Sequence, residues 1–74
     1  MIMDTECYEA TYGKKPKGAG VWFFKVTGTD GKGAYTTDTI RAIGTLGRAR
    51  SAAMRAFKAS CGAVKVITEV EVLP

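Results

Sequence analysis

The sequence predicts an α+β domain of two layers, an antiparallel-rich four-stranded sheet with one helix packed on one face, in the order β-β-β-α-β. Three observations carry this expectation. Val21–Thr27, VWFFKVT, and Val64–Leu73, VKVITEVEVL, alternate with the period of strands. Between them Leu46–Ser60 is rich in Ala, lacks Pro and repeats its apolar residues with the period of a helix. At 74 residues, 46% of them hydrophobic, the chain is sized for a single domain spanning residues 1–74.

Taken in order, Thr5–Tyr12, TECYEATY, places Tyr8, Ala10 and Tyr12 at alternate positions and reads as a short strand. Gly13–Gly20 holds Gly, Pro and three Lys and reads as a loop. In Val21–Thr27, Trp22, Phe24 and Val26 point one way; Val21, Phe23 and Lys25 point the other. Gly28–Gly33 contains an Asp-Gly step suited to a hairpin turn. Ala34–Ile43, rich in Thr and containing Tyr and Ile, returns as a strand. Thr45 is a candidate N-cap. The helix that follows, Leu46–Ser60, turns Leu46, Ala49, Ala53 and Phe57 inward, flanked by Met54 and Ala56. It turns Arg48, Ser51, Arg55 and Lys58 outward. Gly62 stands where a left-handed C-cap belongs. In the last strand Val64, Val66, Val70 and Val72 are expected inside, with Lys65, Glu69 and Glu71 outside.

Composition narrows the function. There is no His, which removes the commonest general base and every Ser-His or Cys-His pair. Two Cys without His cannot complete a structural zinc site. Gly18-Ala19-Gly20 leads into a strand, with Phe23 where a dinucleotide fingerprint needs its third Gly. Gly28–Gly33 lacks Walker spacing. The sequence therefore predicts no catalytic residues, no cofactor and no metal, and a non-enzymatic protein. No run approaches the ~20 apolar residues of a membrane span, and Met1–Glu6 lacks the regions of a signal peptide. A cytoplasmic, reducing setting is expected, with Cys7 and Cys61 unpaired.

The charge is uneven. Residues 14–65 hold all 11 basic residues against Asp30 and Asp38, a local balance of +9, whereas both ends are acidic. Such a distribution predicts a basic surface that attracts an acidic partner and a smaller acidic surface where the chain ends meet. Lys14, Lys15 and Lys17 sit in a Gly/Pro loop directly before an aromatic strand, a pattern able to follow phosphates while an aromatic stacks on a base. If Trp22 faces the helix, Phe23 faces the side the helix leaves open. Arg48 lies near the helix N-terminus, where the dipole disfavours cations. Arg50 lies on the margin of the apolar face, where it must snorkel or pair. The candidate partner-binding residues are thus Lys14, Lys15, Lys17, Phe23, Arg48, Arg50, Arg55 and Lys58.

The run Trp22–Ala59, with Leu46-Gly47-Arg48-Ala49-Arg50-Ser51-Ala52-Ala53, resembles the C-terminal half of the double-stranded RNA-binding domain. That likeness begins after the family's first helix and implies that Arg48 and Arg50 meet phosphates. Val21–Pro74 also looks like the strand-strand-helix-strand layout of very small phage inhibitors, such as phage inhibitors of RNA polymerase and anti-CRISPR proteins. That resemblance implies a phage or mobile-element protein that engages a host complex handling nucleic acid, in the cytoplasm of a bacterial host cell. The other expectations are direct binding of RNA or DNA by the Lys14–Lys17 loop and the helix stripe, and a homodimer through an edge strand.

Overall fold

The computed structural model describes residues 3–74; Met1 and Ile2, part of the stretch read above for a signal peptide, lie outside the described residues. Its elements are β1 (Met3–Asp4), α1 (Glu6–Tyr12), β2 (Ala19–Thr29), β3 (Tyr35–Thr45), α2 (Leu46–Ser60) and β4 (Val66–Val72). The sheet has four strands in the order β1-β4-β2-β3. β2 pairs antiparallel with both β3 and β4, whereas β1 pairs parallel with β4. The two-layer α+β architecture is the one the sequence predicts, with the sheet mixed and a second, short helix added.

That short helix is the main correction. Thr5–Tyr12 is not a strand, so the first three elements do not form a meander; only β2 and β3 make the hairpin. Tyr8 and Tyr12 are four residues apart, a spacing that fits strand alternation and one helical turn equally well. Local chemistry selects the helix. The Asp4 carboxylate accepts from Glu6 N at 3.0 Å, and Thr5 Oγ1 donates to the Glu9 carboxylate at 2.6 Å. Glu6 and Glu9 suit the positive end of the helix dipole. Gly13 ends the helix in the left-handed conformation, φ 70°, and its N–H donates to Glu9 O at 2.8 Å. Tyr8 then stacks on Tyr12, with ring centroids 4.6 Å apart, and on Trp22 at 5.8 Å.

α2 spans the predicted residues. Thr45 caps it, its hydroxyl accepting from Arg48 N at 3.4 Å, and Ala49, Ala53 and Phe57 are fully buried. Met54 flanks the packed face as expected; Leu46 is half-buried against it, and Ala56 is exposed. The C-terminal cap is Cys61, whose N–H donates to Phe57 O at 2.9 Å; Gly62 is not left-handed. Against α2 the sheet places Trp22, Phe24, Val26, Ala42, Ile67, Val70 and Val72. Among the described residues no polar or charged residue is buried. The Trp22 indole N–H donates to Gly44 O at 3.1 Å, satisfying its one polar group.

β4 departs from even alternation. Its pairing with β2 shifts between Thr27 and Gly28: Thr27 faces Glu69 but Gly28 faces Ile67, leaving Thr68 as an extra residue. The bulge reverses the faces before it. Ile67 is buried, while Val66, expected inside, is 55% exposed. Gly28 belongs to the strand rather than the turn, and a Cβ there would lie 2.6 Å from Val64 Cγ1 and 3.0 Å from Phe57 Cε2. The turn is Asp30–Ala34, where the Asp30 carboxylate accepts from Lys32 N at 2.6 Å and Gly31 and Gly33 have positive φ. Cys7 and Cys61 are both free.

Candidate functional site

The eight predicted partner-binding residues fall on two sides of the sheet. Arg48, Arg55 and Lys58 are exposed on the outer side of α2 together with Ser51. Helix periodicity puts them there, because three inward-facing residues, Ala49, Ala53 and Phe57, fix the opposite stripe. No Asp or Glu occurs in α2, so nothing on the helix offsets this charge. Arg50 is half-buried at the margin of the packed face.

Two hollows border the stripe. One, about 640 Å³, lies between α2 and the end of β3, against Ile43, Thr45, Arg48, Ala52 and Arg55. The other, about 260 Å³, has Met54 and Ile67 as its apolar part and Arg55 and Lys58 as its charged part. Arg55 and Ser51 border both. The stripe is therefore a ridge of positive charge with apolar ground on either side.

Phe23 lies on the other side of the sheet. Trp22 is buried towards α2, so the neighbouring Phe23 points away from it and is 44% exposed. A single flat partner cannot touch Phe23 and the α2 stripe together. Lys17 and Phe23 line one hollow of about 340 Å³ at the end of the sheet, with Tyr8, Tyr12, Trp22 and Leu73. Lys14 and Lys15 are exposed in the loop between α1 and β2. That loop enters β2 at Ala19, which is paired with Thr45, the cap of α2. The register thus brings the lysine loop and Arg48 to one end of the molecule. Lys58, in the last turn of α2, belongs to the opposite end.

Residue-by-residue reading of the sequence missed the extent of the open face. Direct pairing keeps opposed residues on one side, so Phe23 shares its face with Arg41, Val21 with Ile43, and Lys25 with Thr39 and Glu71. Thr29 shares it with Tyr35 and, because of the bulge, with Val66. Asp4 pairs with Glu71 and joins them. The Asp4, Glu69 and Glu71 carboxylates gather within 4.8 Å of one another, the acidic surface that the chain ends were expected to form. Cys7 lies beside it: its thiol hydrogen-bonds Glu71, and the negative charge there holds the thiol pKa above its ordinary value. Among the described residues no helix is long and apolar enough to cross a membrane. Compared with protein-family models, curated proteins and solved structures, the chain matches none.

Proposed function

We propose that the chain is a non-enzymatic binding protein that docks the outer side of α2 on an acidic protein surface. The observation that carries this reading is the exposed Arg48–Ser51–Arg55–Lys58 stripe, free of acidic residues on its own helix and flanked by two partly apolar hollows. Positive charge speeds encounter with an acidic partner and sets orientation. The hollows beside Met54 and Ile67 and beside Ile43 and Ala52 accept apolar side chains, which a phosphate backbone does not offer. Guanidinium groups on a rigid helix suit carboxylates better than mobile lysines do. The partner class we infer is a protein of a nucleic-acid-handling complex in a bacterial host, the class implied by the likeness to phage inhibitors.

Direct binding of RNA or DNA is the second reading. It is favoured by the register Ala19–Thr45, which brings the Lys14–Lys17 loop to the end of the molecule that holds Arg48. Phosphates would be held there by loop and helix together.

Capture from a bacterial lysate, with and without nuclease, separates the two. Nuclease-resistant capture of one nucleic-acid-handling complex, lost when Arg48, Arg55 and Lys58 are all changed to Glu, supports the protein partner. Loss of all bound material on nuclease treatment supports the nucleic acid. Undiminished capture by the triple variant overturns the role of the stripe.

A further inference from the structure

We infer that the open face of the sheet, the side away from α2, is the interface of a homodimer in which two sheets stack face to face. Among the described residues, Val21, Phe23, Tyr35, Ile43 and Val66 account for every large hydrophobic left exposed except Tyr12, and register places all five on this face. Gathering on one surface is what marks such residues; scattered singly they need no explanation.

The charges on the same face name the occupant. Asp4, Glu69 and Glu71 lie on the β1–β4 half, Lys25 and Arg41 on the β2–β3 half. A nucleic acid or an anionic membrane laid across the face would meet the acidic half unfavourably. A second copy, turned about a two-fold axis parallel to the strands, brings each half onto its opposite. β4 then lies over β2 of the other copy and β1 over β3. Lys25 approaches Glu71 of the other copy, Arg41 comes within reach of its Asp4, and Phe23 lies over its Leu73, which is level with Phe23 through the Leu73 N–Phe23 O bond of 2.9 Å. Self-complementarity of this kind is what a two-fold interface requires.

β2 and β3 have 11 residues each in a four-stranded sheet, which at about 3.3 Å per residue and 4.8 Å per strand gives a face on the order of 500–700 Å². That is the lower end of standard interfaces, which bury roughly 600–1,000 Å² per partner. Stacked sheets would leave both α2 stripes outside, so this interface and the proposed function share only Ile43, which at the β3 edge borders both the open face and the hollow beside Arg48. The edge-strand dimer expected from the sequence is the competing arrangement.

The test is sedimentation equilibrium over a range of concentrations. The wild-type chain is expected at twice its 7.9 kDa mass. Phe23→Glu, Lys25→Glu with Arg41→Glu, and Glu69→Lys with Glu71→Lys should each weaken association by roughly a hundredfold. Circular dichroism should show each folded, since these residues lie outside the core. Mixing the two opposite charge variants should restore a dimer, and adding Phe23→Glu to one of them should abolish it again. The triple reversal of Arg48, Arg55 and Lys58 should leave the dimer unchanged, which separates this result from the fate of the proposed function. A wild-type chain still monomeric near ~1 mM overturns the inference. So does a dimer indifferent to Phe23→Glu, which would place the contact elsewhere, on the β3 edge first.

Discussion

Phe57 is the residue on which the small core turns, because it is the largest side chain that α2 buries completely. Phe57→Ala should cost about 3–5 kcal/mol, close to the whole stability of a domain this size, and be read as loss of a cooperative melt. Gly28 is its counterpart on the sheet. A methyl group there would overlap Val64 and crowd Phe57 and the Val66 carbonyl. Gly28→Ala should therefore lower stability by about 1–3 kcal/mol in denaturant unfolding, although Ala ordinarily suits a strand better than Gly. At Cys7 the sign is electrostatic. Glu71 accepts the thiol hydrogen and repels the thiolate, so the pKa stands above its usual value. At a pH just below the ordinary thiol value, less of Cys7 is thiolate than in an unfolded chain, and alkylation should be slower than after denaturation. Glu71→Gln removes the repulsion and should speed it.

At the scale of elements, α2 and α1 are held differently. α2 buries Ala49, Ala53 and Phe57, so its outer stripe can be changed at little cost to the fold. The Arg48→Glu, Arg55→Glu, Lys58→Glu variant should melt within a few degrees of wild type, because exposed substitutions usually act within about 0.5 kcal/mol. Any loss of binding then belongs to the surface. α1 has no fully buried residue and is anchored by Tyr8 on Trp22. Tyr8→Ala should free α1 with a cost of about 1–2 kcal/mol, seen as faster amide exchange in residues 6–12 than in α2.

For the whole molecule, the decisive arrangement is two faces of different character. The extents of 37 × 21 × 17 Å describe an elongated block, with α2 on one side and an open sheet on the other. If two copies stack, unfolding is linked to association, and Tm should rise with protein concentration in scanning calorimetry. Phe23→Glu should remove that dependence while keeping a cooperative transition.

The sequence by itself determined the strands around Trp22 and Val70, the bounds of α2, its Thr45 cap and its buried and basic sides. Those features are local, and their periods of 2 and 3.6 are written in neighbouring residues. It also determined that Phe23 would oppose Trp22, since alternation admits nothing else. Three matters were not legible in periodicity, and two of them were decided by tertiary structure alone. Tyr8 and Tyr12 fit either period, and the short-range contacts of Asp4, Thr5 and Gly13, joined by stacking on Trp22, make that segment a helix. Val66 left the core because the extra residue at Thr68 changed its face, and a bulge depends on the strand opposite. The open face, with acid on one half and base on the other, arises from strand order, as Asp4 and Glu71 are distant in sequence and adjacent in space. Which residues share a surface is fixed by pairing across strands, and periodicity along one strand carries no record of it.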